Sequence, residues 1–475
     1  MQFGTGVLLR GLPDYFIDKA NRKGIFNGRI VVVKSTGNGD ANEFTRQDGL
    51  YTVCVRGIED GIDVKENIIN ASISRVLSAT SEWDQILECA HNPNLQIIIS
   101  NTTEVGIQLL NEPIKKHPPV SFPGKLLAFL YERYAAFGGS EQSGMIIIPT
   151  ELIPDNGKKL EWIVLELAHL NGLEAPFIEW LEQKNKFCSS LVDRIVPGRP
   201  DKKIHNELEN ELGYKDDLLT MAEAYKLWAI EGDERIKQIL AFAQADEGVV
   251  VTPDINLHRE LKLRLLNGTH TLSVAPAILA GFDTVKQAMD DEILSVFISD
   301  LMLNELAPSI PFSINSQVAL SFGSKVLDRF RNPHIQHHWN NIAMQISAKM
   351  KLRNIPILMR HYEENDSAPQ RFAIGFAAYI IYMKAVKEEN GVYYGERNGQ
   401  LYLIQDDSTE VFYKRWINFE GEALVRDVLK DKVFWGEDLS VLPGFLNAVT
   451  DKLSMIVNGE VKEAIASVQH KNIAV

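Results

Sequence analysis

The chain has 475 residues, 45% of them hydrophobic, which is enough for roughly two or three domains each with its own core. A formal charge of −14 lacks the basic excess that a phosphate-binding face requires, so neither a nucleic-acid nor an anionic-membrane surface is expected. No stretch approaches the ~20 apolar residues of a membrane span and the amino terminus carries no secretory pattern, so the expectation is a cytoplasmic enzyme.

The first eleven residues place Gly4 and Gly6 before an apolar helical stretch containing Tyr15, Phe16 and Ile17. This order suits a dinucleotide turn, in which glycine lets the backbone bend sharply and approach a pyrophosphate. Leu9 stands where the common pattern has its third glycine, and the residues before Gly4 are too few for a full first strand. Arg29 to Lys34 reads as a buried parallel strand. Its end carries Lys34 where an acidic residue would mark NAD by accepting the ribose hydroxyls, which leaves NADP open. Cys54, Cys89 and Cys188 are odd in number, far apart and without Cys-x-x-Cys, which predicts reduced packing residues.

Gln96 to Ser100 is the next apolar strand, ending at Asn101, Thr102 and Thr103. Ligands of open α/β sheets bind at carboxyl ends of strands, so this polar cluster is a candidate cofactor contact; the competing reading is a helix cap with Glu104 in the first turn. Met145 to Ile148 is a further strand, running into Glu151 and Leu152. Strands alternating with helices predict a doubly wound α/β domain over 1–253. Asp193 beside Arg194 reads as a structural ion pair. From Asp254 onward Ala275 to Phe282, Val285 to Leu303, Ile335 to Lys351 and Ala368 to Val386 show helical spacing, so a mostly α-helical domain is expected over 254–475. Lys387 to Leu401, with three glycines, reads as a surface loop or hairpin.

Lys262, Asn267 and His270 set a titratable amine beside two side chains able to hydrogen-bond an alcohol or carbonyl. A ketone reduced by hydride must also receive a proton, and an amine whose pKa is lowered by burial or by a cationic cofactor ring can supply it. At α-helical pitch the three side chains share an arc of about 140°, yet Lys262 and His270 lie ~12 Å apart along the axis. Both reach one small substrate only if it lies along the helix or the helix bends near Gly268. The plainer alternative is a buried leucine surface with Lys262 and Arg264 solvated. His334, His337 and His338 have spacing that a metal site can use, but no acidic or cysteine ligand stands nearby, so no metal is expected.

Several segments, in order, carry a resemblance: Phe3-Gly4-Thr5-Gly6 with Arg10, Asn101-Thr102-Thr103-Glu104, Val192-Asp193-Arg194-Ile195 before Pro197, Trp228 to Glu231, the Lys262, Asn267 and His270 run, and Phe330-Arg331-Asn332-Pro333. Together they resemble the polyol-specific long-chain dehydrogenases, the mannitol dehydrogenase family, and within it the tagaturonate reductase branch. The resemblance covers nearly the whole chain. It implies a Rossmann-type amino-terminal domain, a helical carboxyl-terminal domain and zinc-independent hydride transfer with NAD. It further implies Lys262 as acid/base, Asn267 and His270 at the reacting end of the substrate, and Gly4, Gly6, Asn101, Thr102 and Thr103 at the cofactor. The implied reaction is reduction of a keto-hexuronate to a hexonate, tagaturonate to altronate; mannonate (fructuronate) or mannitol oxidoreduction is the sibling alternative, and a catalytically silent nucleotide-binding protein the remote one. Where mannitol dehydrogenases carry an oxyanion-stabilising asparagine this chain has Leu152, which leaves Glu151 as a candidate replacement. A hexuronate carboxylate also needs a cation. Lys349 and Arg353, four apart, are the expected cradle, with Arg360 a third candidate.

Overall fold

The structure is a computed structural model that describes residues 1–35, 42–102, 106–459 and 461–469. It divides into two compact units, one of Met1–Gly57 and Asp63–Ile255, the other of Ile58–Ile62 and Asn256–Val475.

The first unit is built on a six-stranded parallel sheet of order β5-β2-β1-β6-β7-β8, where β1 is Gln2–Phe3, β2 is Ile30–Lys34, β5 is Ile73–Ser78, β6 is Ile97–Ser100, β7 is Ile146–Pro149 and β8 is Lys186–Phe187. Its Ile- and Val-rich strands are covered on both faces, which is why they read as near-continuous apolar runs. One face packs Phe122, Leu126, Phe129 and Leu160; the other packs Phe16, Tyr51, Trp228 and Phe242. The chain leaves β1 toward β2 and β5, then returns to β6 on the opposite side of β1, with Phe3 in register with both Val33 and Ser100. The strand order therefore reverses between β1 and β6, the place where open α/β sheets accept ligands. β1 spans only two residues, so the short segment before Gly4 still supplies a central strand.

Two smaller sheets complete the unit. One, of order β10-β3-β4, uses β3 (Tyr51–Glu59), β4 (Ile62–Asn70) and β10 (Thr220–Glu223); the other, β12-β11-β9, uses β9 (Ser190–Asp193), β11 (Leu227–Glu231) and β12 (Val249–Thr252). Arg194 leads out of β9, donates to the carbonyls of Glu223 (2.9 Å) and Gly11 (2.6 Å), and lies over the Tyr15 ring. The three cysteines are buried and unpaired.

The second unit is mostly helical, as its spacing predicts, but the helices are shorter. The expected helix over 285–303 is broken at Asp291, whose side chain accepts from Leu294 N and starts a new helix at Glu292. The expected helix over 335–351 is two short ones, Trp339–Ala343 and Ile346–Lys349, separated where Gln345 takes a φ of 53°. Residues 387–403 form a three-stranded antiparallel sheet of β13 (Lys387–Glu389), β14 (Val392–Arg397) and β15 (Gln400–Leu403), one strand more than a hairpin. Among the described residues no helix is long and apolar enough to cross a membrane.

Candidate functional site

At the switch point of the first unit Gly4 takes a φ of 125°, and a Cβ there would lie 2.9 Å from the Asn101 carbonyl oxygen, so the position admits only glycine. Gly6 is different: its φ is −63° and an added Cβ would meet no protein atom within 4 Å. Position 6 thus faces open space, where glycine permits close approach of a ligand's phosphates. The following helix stops at Gly11 and restarts at Pro13, so Tyr15, Phe16 and Ile17 belong to a second helix. Leu9, in place of the third glycine, is fully buried, and the close approach that glycine normally serves falls to Gly11, whose Cβ would strike Val196 at 2.8 Å. Ser35, past the end of β2, keeps a buried hydroxyl with no hydrogen-bond partner among the described residues. Open space at Gly6 and an unsatisfied hydroxyl at the β2 terminus fit a dinucleotide's phosphate and ribose.

Asn101 and Thr102 adjoin this turn, but their side chains are engaged with the next strand. Asn101 Nδ2 donates to the Thr150 hydroxyl at 3.0 Å and carbonyl at 3.2 Å. Thr102 donates to Glu151 Oε1 from its backbone N–H at 2.7 Å and its hydroxyl at 3.1 Å, and Ser100 Oγ donates to Glu151 Oε2 at 3.2 Å. Glu151, read from the sequence as a substrate contact, is 3% exposed and spends its carboxylate bracing the ends of β6 and β7. Its neighbour Leu152 projects outward, 62% exposed. Thr103 and Glu104 lie outside the described residues, and with them the alternative of a helix cap.

In the second unit the Lys262, Asn267 and His270 run takes a form that α-helical reasoning misses. An α-helix over Asn256–Leu261 passes into a π-helix over Lys262–Gly268, then back to α at Thr269–Leu279. A π-turn bonds residue i to i+5, so residues five apart come nearly into line. Lys262 and Asn267 are five apart. The wider turn therefore draws together two side chains that α pitch would splay, and it ends at Gly268, where the sequence suggested a bend. Lys262 and Asn267 are half-buried, and Arg264 is buried rather than solvated.

His270 is 6% exposed and stacks on Phe330, with ring centroids 4.2 Å apart and planes at 20°. His337 meets it edge-on at 5.0 Å. Burial, then the nearby His337, Arg329, Arg353 and Lys349, hold its pKa well below the ordinary value, so the imidazole is neutral at neutral pH. Its Nε2 has no partner among the described residues. His337 was legible only as a metal candidate; the fold instead uses it to wall His270, while His334 and His338 are exposed. Among the described residues no group of three His, Cys, Asp or Glu side chains is gathered for a metal ion.

Another π-helix, Met350–Asn354, packs against that at Lys262–Gly268. Arg353 Nη1 donates to Thr271 Oγ1 at 3.1 Å and to the Asn267 carbonyl at 3.4 Å, which puts its guanidinium directly beside the candidate site. Burial lowers its pKa to about 10. Lys349 Nζ donates to the Ile342 carbonyl at 3.0 Å, and burial followed by the Arg353 charge lowers its pKa. Neither cation has a carboxylate within ion-pair distance among the described residues. Arg360 differs: it pairs with Glu363 and Glu364 along its own helix, so it is no candidate for the cradle.

Comparison with known proteins agrees with this fold. The Mannitol dehydrogenase Rossmann domain family matches residues 1–242 and the Mannitol dehydrogenase C-terminal domain family matches residues 254–457. The chain is 39% identical to an altronate oxidoreductase of Halalkalibacterium halodurans, over 98% of this chain and 92% of the relative. It is 38% identical to an altronate oxidoreductase of Bacillus subtilis, over 96% of this chain and 92% of the relative. Among solved structures, Pseudomonas fluorescens mannitol 2-dehydrogenase, in a ternary complex with NAD and D-mannitol, shares the fold at a TM-score of 0.65 and 21% identity, covering 99% of this chain and 94% of that one. With a parallel sheet whose order reverses at a glycine turn, a helical second unit and family matches over most of its length, the chain belongs to the mannitol dehydrogenase family.

Proposed function

We propose that the protein is a cytoplasmic NAD-dependent dehydrogenase that interconverts a keto-hexuronate and its hexonate, tagaturonate and altronate. The observation that carries this reading is the pair of half-buried cations, Lys349 and Arg353, which lack a carboxylate of their own beside the Lys262, Asn267 and His270 cluster. Two like charges held out of water without an anion are costly, and a ligand carboxylate removes that cost. A neutral polyol does not. The near-full-length altronate oxidoreductase relatives supply the same substrate class independently.

When bound at the Gly4 and Gly6 turn, NADH supplies the hydride that reduces the substrate's carbonyl carbon. The residues of this chain do the rest. The Lys262 ammonium donates a proton to the carbonyl oxygen as negative charge gathers there, and takes it back in the oxidative direction. The Asn267 amide, brought into line with Lys262 by the π-turn, donates a hydrogen bond to the same oxygen. His270, neutral and fixed by Phe330, presents Nε2 as a hydrogen-bonding group that adds no charge near the cationic pair. Lys349 and Arg353 bind the carboxylate and so fix which carbonyl faces the amine. Leu152 makes no polar contact with the oxyanion, which leaves its stabilisation to Lys262 and Asn267.

Lys262→Ala is expected to abolish turnover while NADH binding, followed by fluorescence, survives; substantial residual turnover removes the acid/base role. Comparing altronate, mannonate and mannitol as substrates tests the assignment. Higher kcat/KM on mannonate or mannitol than on altronate would move the protein to a sibling activity, and failure to bind NADH would leave no dehydrogenase reading.

A further inference from the structure

Two of the π-helices of the second unit, Lys262–Gly268 and Met350–Asn354, are tied to one another by reciprocal hydrogen bonds. Arg264, within the first, sends Nη1 to the carbonyl oxygens of Leu352 (2.7 Å) and Arg353 (2.8 Å) in the second. Asn354, the last residue of the second, sends Nδ2 back to the carbonyl of Gly268 (3.0 Å), the last residue of the first. Both donors are buried, Asn354 completely, and Glu260 Oε2 accepts from Arg264 Nε at 2.9 Å, steadying the guanidinium. The fit at the return bond is close, since a Cβ on Gly268 would stand 3.2 Å from Asn354 Nδ2.

A π-turn is an interruption of an α-helix, and i→i+5 bonding leaves carbonyls at its edges that the α ladder would have satisfied. Such a turn persists where other groups bond those carbonyls. If the first segment relaxed to α pitch, Asn267 would rotate away from Lys262. The second segment carries Arg353, whose carbonyl is one of the Arg264 acceptors and whose guanidinium reaches the Asn267 carbonyl. One clasp therefore sets both the group facing the reacting carbonyl and the group facing the carboxylate.

We propose that Arg264 and Asn354 are positioning residues: their cross-bonds hold the Lys262–Gly268 and Met350–Asn354 segments in π register and thereby align Lys262 with Asn267. The inference rests on the hydride-transfer reading given above for its consequence in rate.

The test is Asn354→Leu, which keeps the branched shape and removes the donor, beside Arg264→Lys, which keeps the charge but replaces a fork on two carbonyls with a single ammonium. In each, kcat per NADH-binding site for keto-hexuronate reduction should fall ~10- to 100-fold, the range expected of misplaced rather than missing groups, with KM within ~3-fold. The primary deuterium isotope effect with C4-deuterated NADH should rise as hydride transfer becomes rate-limiting. A variant that merely folds less well loses binding sites instead and leaves rate per site and isotope effect unchanged; that result, or kcat within ~2-fold of wild type, overturns the proposal. If Asn354→Leu does not fold, Gly268→Ala presses on the same bond and the same criteria apply. Absence of wild-type turnover would refute the functional reading alone. The clasp would then be judged by amide hydrogen exchange over 262–268, where Asn354→Leu must accelerate exchange ~10-fold or more and unchanged protection refutes it.

Discussion

Arg353→Met separates recognition of the substrate's carboxylate from the stability of the fold. Methionine fills a similar channel without charge. In the folded protein burial lowers the guanidinium's pKa to about 10, a penalty on the charged form of about 3 kcal/mol. For a base whose folded pKa lies below its unfolded value, that penalty is fully present at every pH below the folded pKa, hence at neutral pH. Against it stand the two hydrogen bonds to Thr271 Oγ1 and the Asn267 carbonyl, each about 1.5 kcal/mol when the donor is charged. The terms nearly cancel. Arg353→Met should therefore change unfolding free energy by no more than ~1 kcal/mol. Its effect on the enzyme should be large and selective: a charge-assisted bond to the carboxylate is worth about 1.5 to 3 kcal/mol, or roughly 10- to 150-fold in kcat/KM for a keto-hexuronate. A neutral ketohexose should lose less than ~3-fold. The assays are NADH oxidation with both substrates and denaturant unfolding of the same preparations. Equal losses on the charged and neutral substrates would refute the cradle, since Arg353 would then act only by positioning Asn267.

Three further outcomes concern the first unit. Gly6→Ala should leave the melting temperature within ~2 °C of wild type yet weaken NADH binding ~10-fold or more, because the added methyl meets no protein atom but occupies the phosphate's approach; Gly4→Ala should destabilise by about 1–3 kcal/mol through backbone strain at its positive φ. Calorimetry and NADH titration of the pair check both, and unchanged NADH affinity in Gly6→Ala would exclude that turn as the phosphate site. Asp14, fully buried beneath the turn, has its pKa raised from 3.8 to about 7 by burial. Because the folded state holds this proton more tightly than the unfolded state, stability from this group is intact below about pH 4 and is lost as pH rises through about 7. Asp14→Asn should thus gain stability relative to wild type between these limits, by at most about 4 kcal/mol; a difference that does not change between pH 4.5 and pH 8 in urea unfolding refutes a proton on Asp14.

What the sequence carried was local chemistry and period. The Ile and Val runs ending at Lys34, Ser100 and Pro149 announced parallel strands because both faces of each are covered. Gly4 and Gly6 announced a turn because glycine is tolerated there for distinct reasons. Strand β4 passed unread because its largely exposed run IDVKENIIN interrupts its apolar residues with charges. The Lys262, Asn267 and His270 spacing was read at α pitch, the helical period a sequence displays by default, whereas the chain takes a π-turn over Lys262–Gly268.

Composition and motif order determined on their own that this is an α/β chain followed by a helical one, because those features depend on each residue's own chemistry and on its neighbours in the chain. Tertiary structure alone decided the π register at 262–268, the loss of Arg360 to Glu363 and Glu364, the engagement of Glu151 with Thr102, and the pairing of His270 with Phe330 and His337. For the π register, Glu151 and His270 the deciding partner lies tens of residues away in sequence, and a period or a motif holds no information about which distant carbonyl, hydroxyl or ring will complete a side chain's bonds. Arg360 had its partners one turn along its own helix, yet spacing alone did not say whether it would turn to them or to a substrate.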